Sequence, residues 1–252
     1  MVDHWQWPLL FTTGVGAGFV DAIAGGGGLI TLPVLLSCGF DPKLALGTNK
    51  LQAAFGSGSA AWHYTRAGVA NWRDCWRGFA LTFVGAVVGT LAVQKLDPSL
   101  LRRALPVLLV VVAIYSLLRP KLGEKEVQAR MSRAAFDLTF GLLLGFYDGF
   151  FGPGTGTFWA VAFVLVMGFD LTRATGSTKV MNFASNLASL AFFLCLGQVL
   201  VTAGLVMGAG QLIGAWLGSH MVIKRGTEFI RPVFIAAVLA ITGKLIYDVY
   251  FK

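Results

Sequence analysis

Long apolar stretches joined by short polar links run the length of this 252-residue chain. They fall at about 8–38, 44–63, 76–94, 100–118, 135–167, 174–196, 199–222 and 229–250. A helix that crosses a bilayer needs about 20 apolar residues, and most of these stretches match that length. Two are too long for a single crossing, 8–38 and 135–167, and each carries a glycine-rich interruption. The first is Gly25-Gly26-Gly27-Gly28 and the second is Gly152-Pro153-Gly154-Thr155-Gly156. Each Gly inside a helix costs about 1 kcal/mol relative to Ala, so the helix is predicted to stop at both places. The pattern therefore predicts an all-α, polytopic membrane protein of about eight hydrophobic helical segments.

The segments fall into two homologous repeats. Gly18-Phe19-Val20-Asp21 recurs as Gly145-Phe146-Tyr147-Asp148, and Gly39-Phe40-Asp41 as Gly168-Phe169-Asp170. Gly47-Thr48-Asn49-Lys50 recurs as Gly176-Ser177-Thr178-Lys179. Gly85 and Gly89 match Gly214 and Gly218, and Lys95 matches Lys224. The offset is 127 residues at the aspartates and 129 at the lysines, which one short insertion explains. The organisation read from this is a first transmembrane repeat over 1–118, a cytoplasmic linker over 119–133 and a second transmembrane repeat over 134–252. In each repeat the first segment is the one broken at a Gly-rich motif.

Charge arbitrates how the repeats sit. If every segment crosses, 10 Lys and Arg lie on the side of the central linker and 8 opposite. If the broken segments dip in and return, the count is 12 against 6. Cytoplasmic loops carry the excess of Lys and Arg, so the second arrangement, with repeats of inverted topology, is favoured.

Composition agrees with lipid as the solvent. Hydrophobic residues make up 56% of the chain and charged ones 13%, with a mean hydropathy of +0.72; soluble domains carry about 25% charge. The net charge of +8 would raise nucleic acid as a partner in a soluble protein. Here the basic residues sit between apolar runs, as membrane topology requires, and no nucleic-acid role is assigned. Cys38, Cys75 and Cys195 are scattered and form no CxxC, so neither a metal site nor a redox pair is expected. His4, His63 and His220 make no metal motif either, and no cofactor is expected. No GxSxG, HExxH or Walker sequence occurs, so no enzyme activity is expected.

The candidate chemistry lies inside the apolar runs. Lys50 and Lys179 each sit a few residues into one, where an ammonium costs about 2.5–3.5 kcal/mol at mid-membrane unless it snorkels to the surface. Their recurrence at matching places points to a shared site that attracts an anion. Asn49, Gln52, Gly56, Ser59 and His63 form a polar stripe at helical spacing beside Lys50; Thr178, Asn182, Ser185 and Ser189 repeat it beside Lys179. Such stripes face a bundle interior or a water cavity, or bond neighbouring helices together. The breaks expose backbone N–H groups at the start of a second half-helix, which is an anion site when paired with the helix dipole. Lys50, Lys179, Thr48, Asn49, Gln52, Ser177, Thr178 and Asn182 are the side-chain candidates for binding. Gly26, Gly27, Gly28, Gly154, Thr155 and Gly156 are the backbone candidates. Asp21 and Asp148, one helical turn before the breaks, are candidates for carrying a proton, for pairing with a lysine or for capping the broken segment. Asp41 and Asp170 precede the polar helices and are read as N-caps. Gly14, Gly18, Gly141, Gly145 and the Gly85/Gly89 and Gly214/Gly218 pairs are read as packing seams.

Gly18-Phe19-Val20-Asp21-Ala22-Ile23-Ala24-Gly25-Gly26-Gly27-Gly28, Gly47-Thr48-Asn49-Lys50 and their second-half counterparts resemble the TauE/SafE sulfite exporter family, also called TSUP, over nearly the whole chain. The resemblance implies a multi-pass permease of the bacterial inner membrane that moves sulfite, organosulfonates or other small organic anions as a secondary transporter. Its partners would be a small anionic substrate and the lipid bilayer; a homodimer is left open. Pro153 and Thr155 replace two glycines of the motif in the second half, so the two half-sites are expected to be unequal. The competing readings are a cation permease or channel using Asp21 and Asp148, and a membrane-embedded enzyme, against which the lack of an acid–base pair with a nucleophile counts.

Overall fold

The computed structural model describes residues 4–97, 99 and 126–226. The apolar segments at 100–118 and 229–250, and linker residues 119–125, lie outside these. The described residues form eight α-helices and no strand: α1 (Gln6–Ala24), α2 (Gly27–Ser37), α3 (Pro42–Arg66), α4 (Trp72–Gln94), α5 (Arg133–Phe150), α6 (Thr155–Met167), α7 (Leu171–Cys195) and α8 (Val201–Arg225). These eight come from six of the apolar stretches, because 8–38 yields α1 and α2, and 135–167 yields α5 and α6.

Local chemistry sets the helix ends. The carboxylates of Asp41 and Asp170 accept from the backbone N–H groups of Lys43 and Arg173, as expected of N-caps. Asn71 and Ser132 do the same for α4 and α5, each cap being worth about 1 kcal/mol. Pro42 at the first turn of α3 has no N–H to lose there. α1 stops at Gly25, whose φ of 78° is left-handed, and Gly26 precedes α2. α5 stops at Phe151, and Gly154 at φ 76° precedes α6.

Both short helices fold back on the helix before them. Gly27, at the start of α2, lies against Ala17 and Asp21 of α1. Leu10 at the start of α1 shares an apolar cluster with Leu35 near the end of α2. In the second hairpin Phe136, at the start of α5, packs 5.0 Å from Phe163 of α6 between ring centroids. The first hairpin opens toward the face that also holds the starts of α3 and α8 and the ends of α4 and α7. The second opens toward the opposite face, with the starts of α4 and α7.

Glycine seams hold the long helices together. α1 runs parallel to α8, with Gly14 against Met207, Gly18 against Gln211 and Gly218 against Phe19. α4 runs parallel to α5, with Gly145 against Thr82 and Gly149 against Ala86. A Cβ on Gly14, Gly89 or Gly214 would stand 2.0–2.3 Å from a carbonyl oxygen of the neighbouring helix, so only glycine permits this approach. The glycine pairs read as seams thus do lie at helix contacts.

The layering is inverted relative to a soluble protein. α1, α4 and α8 are long and apolar enough to cross a membrane, and α2 and α6 are shorter apolar helices. The more polar α3 and α7 pack together at the centre. Val84, Val88 and Leu91 on α4, Leu138 and Leu143 on α5, and Leu205, Leu212 and Ile213 on α8 are exposed. Such a girdle suits acyl chains. Trp5 is exposed at one face, and Trp62, Trp72 and Trp76 at the other, where interfacial tryptophans belong.

Candidate functional site: two crossed ion pairs around a glycine contact

Lys50 is the ninth residue of α3, and Lys179 is the ninth residue of α7. Both helices have 25 residues and run in opposite directions, so the lysines sit about 6 Å to either side of the middle. Both are buried, at 1% and 0% exposure; neither snorkels. Each finds its counter-ion in the other half of the chain. Lys50 Nζ lies 2.5 Å from Asp148 Oδ1 and also donates to the Asp148 carbonyl at 2.6 Å. Lys179 Nζ lies 2.9 Å from Asp21 Oδ2.

The remaining lone pairs of the two carboxylates are used differently. Asp148 Oδ2 accepts a short hydrogen bond from the Ser185 hydroxyl. Asp21 Oδ1 accepts from the Gly27 N–H at 3.1 Å. That N–H opens α2, so the protein's own carboxylate occupies the anion-attracting end of this short helix. Asp21 therefore both pairs with a lysine and caps the broken segment. It is also the more open of the two, with a side-chain exposure of 17% against 4% for Asp148.

The two hairpin tips meet between these pairs. A Cβ on Gly25 would stand 2.6 Å from the Gly156 Cα. The Thr157 hydroxyl donates to the Ala24 carbonyl at 3.2 Å, and Gly28 lies beside Pro153 and the Asn49 amide. Thr155 closes its own tip by donating to the Gly152 carbonyl at 2.6 Å, and Gly154 provides the left-handed turn there. Gly26 precedes the first helical residue of α2.

Around Lys50, Asn49 Oδ1 accepts from Thr31 at 2.5 Å and from Gln52 at 2.7 Å. Three side-chain atoms on the lysine helices are buried with no hydrogen-bond partner among the described residues: Gln52 Oε1, Thr178 Oγ1 and Asn182 Oδ1. Buried polar atoms are normally satisfied, so these three keep hydrogen-bonding capacity that the described residues do not use. Lys50, Asn49, Gln52, Lys179, Asp21 and Asp148 lie with the glycine tips in this central layer. Thr48 and Ser177 point elsewhere. The Thr48 hydroxyl accepts from the Leu200 N–H at 3.0 Å, ahead of α8, and Ser177 lines a separate small cavity with Cys75.

Sequence reasoning passed over several participants. Gly25 makes the closest contact between the tips, and Thr31 completes the Asn49 cluster. The repeat alignment contained the signal for Gly25, since it stands first in the glycine run. Thr31 carried none, because its partner is 18 residues away on another helix.

A helical bundle with an apolar girdle, two folded-back helices meeting at its centre and paired charges sealed beside them is the build of a membrane transporter. The chain belongs to the sulfite exporter TauE/SafE family, whose model matches residues 10–245. It is 47% identical over 240 residues to a "Probable membrane transporter protein" of Haemophilus influenzae, covering 95% of this chain and 94% of that one. It is 45% identical to "Probable membrane transporter protein YfcA" of Escherichia coli K12, covering 95% and 89%. A third relative, "Probable membrane transporter protein ORF9" of a Sinorhizobium species, is 42% identical, covering 95% and 92%. No solved structure matches the chain.

Proposed function

We propose that this protein is a multi-pass secondary carrier of the bacterial inner membrane that moves a small oxyanion, such as sulfite or an organosulfonate, together with a proton. The observation that carries the reading is the pair of crossed ion pairs, Lys50–Asp148 and Lys179–Asp21, buried beside the contact of two hairpin tips. It is supported by the opposed placement of the two helical hairpins. α1–α2 and α5–α6 enter from opposite faces, and each first helix packs in parallel on the last described helix of the other half. Broken helices meeting at mid-membrane form the substrate site in carriers of this general build.

The faces follow from charge. Among the described residues, Arg66, Arg73, Arg77, Arg130, Arg133, Arg173, Lys224 and Arg225 lie at the face of the second hairpin's opening, and Lys43 and Lys95 at the other. That excess makes the second face cytoplasmic.

Both ammonium groups are neutralised internally, so an incoming anion must displace a carboxylate. A displaced carboxylate left charged beside the anion in a buried site is strongly unfavourable. Taking up a proton removes the cost, and anion and proton then occupy the protein together. The anion would sit between Lys50 and Lys179, against the backbone of Gly26–Gly28 and Gly154–Gly156. Gln52, Asn49, Thr178 and Asn182 would supply the remaining hydrogen bonds. Against a cation permease stands the engagement of both carboxylates by lysines.

Two measurements test this reading. Sulfite or a sulfonate raises the melting temperature of the purified protein, because a ligand selective for the folded state stabilises it. The fourfold neutral variant K50Q/D21N/D148N/K179Q, which keeps side-chain size and leaves no unpaired charge, abolishes anion flux in proteoliposomes. Undiminished flux in that variant, or cation flux indifferent to anions in the unaltered protein, overturns it.

A further inference from the structure

Behind the cytoplasmic face lies a cavity of about 330 Å³ among α4, α5, α7 and the segment after α6, and arginines converge on it. It is lined by Arg73 and Arg77 of α4, Arg133 of α5 and Arg173 of α7, with Asp74 and Asp137 beside them. We propose that this cavity is a cytoplasmic capture site for the transported oxyanion, distinct from the central layer and feeding it. The inference rests on the anion-carrier reading above.

Three observations carry it. First, arginine is in excess, four guanidinium groups lining the cavity against the carboxylates of Asp74 and Asp137. Arg133 Nε pairs with Asp137 Oδ1 at 2.8 Å, and Arg173 pairs with Glu126 at 3.0 Å. Arg73 and Arg77 have no ion pair among the described residues, and Arg133 Nη2 and Asp137 Oδ2 are both buried without a hydrogen-bond partner there. Guanidinium groups in this state are the usual ligands of planar and tetrahedral oxyanions, through forked and charge-assisted bonds.

Second, a neighbouring cavity reaches about 6 Å further along α7 than Arg173. A smaller cavity of about 170 Å³ shares Asp74, Arg133, Phe169 and Arg173 with it and is also lined by Ser177, two residues before Lys179. Ser177 is one turn deeper than Arg173 on the helix that carries the central ammonium.

Third, the architecture does not need these charges. At the matching places of the other half stand Gln6, Leu44, Thr202 and Val206, opposite Arg133, Arg173, Arg73 and Arg77. The same packing is built there without an arginine. Topology alone asks for positive charge anywhere on the cytoplasmic loops. It does not ask four arginines to line one cavity.

Arg73 and Arg77 are the residues to remove, since neither holds a helix end or an ion pair. Sulfite uptake is measured in inside-out membrane vesicles, which present the cytoplasmic face, and in right-side-out vesicles. In R73Q/R77Q the KM from the cytoplasmic face rises about tenfold, the loss of one strong anion contact. The KM from the opposite face stays unchanged. R73K/R77K, which keeps the charge and so the topology, retains more than half of the cytoplasmic affinity. Unchanged KM at both faces, or an equal loss at both, overturns the capture site while leaving the carrier reading intact. Absence of sulfite flux in the unaltered protein is instead the failure of that reading.

Discussion

Gly25 and Gly156, 131 residues apart in the chain, meet backbone to backbone where the two hairpin tips touch. A Cβ on Gly156 would stand 2.5 Å from the Gly25 Cα, and one on Gly25 would stand 2.5 Å from the Gly156 carbonyl carbon and 2.7 Å from the Thr157 N. Gly25 in addition holds a φ of 78° that ends α1. The contact therefore excludes every other residue twice over at Gly25 and once at Gly156.

Alanine at either position is expected to force the tips apart. Overpacking of a tight contact costs about 1–3 kcal/mol, and a left-handed backbone adds strain at Gly25. G25A and G156A should therefore melt at lower temperature and lose transport. Gly16 provides the control, being helical with nothing within 4 Å of its added Cβ. G16A should match or slightly exceed the parent, because Ala is the better helix former. Thermal melts of the three purified variants decide this, and equal melting of G156A and G16A would sink the account of the contact.

The crossed pairs predict a compensation pattern. D148N leaves the Lys50 ammonium buried and unpaired, at a cost of about 3–5 kcal/mol. K50Q/D148N removes both charges and should recover most of that stability while losing transport. D21N should be milder than D148N, because Asp21 is 17% exposed and water screens what it leaves behind. The check is the melting temperature of each single and double variant. Stability in K50Q/D148N no better than in D148N would show that the pair acts through shape rather than charge.

The lysines, the aspartates and both glycine-rich stretches were legible in the sequence because similar motifs show each of them twice. Their crossing was not, since spacing within one half says nothing about which carboxylate a lysine meets. Depth does say it once the two hairpins are known to open at opposite faces. Asp21 is the sixteenth residue of α1, about 22–24 Å from the face where that helix starts. Lys179 is the ninth residue of α7, entering from the other face across a helix about 37 Å long, which puts it at about the same depth. Lys50 lies only about 12 Å from the first face, too shallow for Asp21. The hydroxyls of Thr48 and Ser177 were harder to place: they flank the lysine on the same turn, and only the packing of α8 and α4 shows where they point.

The assignment of faces has a direct test by labelling. Lys95, exposed just past α4, and Ala67, exposed just past α3, lie on opposite faces. In a background with Cys38, Cys75 and Cys195 replaced, a cysteine at Lys95 should react with an impermeant maleimide added to intact spheroplasts. One at Ala67 should react only in inside-out vesicles. Reaction of both from the same side would contradict the assignment of faces.

Proton coupling predicts a separation of two activities. If the displaced carboxylate carries the proton, an acid-outside gradient drives anion accumulation in proteoliposomes, and this response depends on Asp21 or Asp148. In D21N the amide still accepts from the Gly27 N–H through its oxygen, and Lys179 no longer has to be freed from a carboxylate. The variant should therefore still exchange labelled for unlabelled anion across the membrane, where no net proton movement is needed. It should lose most of the accumulation that a pH gradient produces. The sign follows from the chemistry: a neutral amide cannot take up the proton that a carboxylate takes when the anion arrives. Exchange and gradient-driven uptake measured on the same vesicles separate the outcomes. Gradient response undiminished in both D21N and D148N would place the coupling proton elsewhere, and loss of exchange together with gradient response in D21N would make Asp21 a structural group.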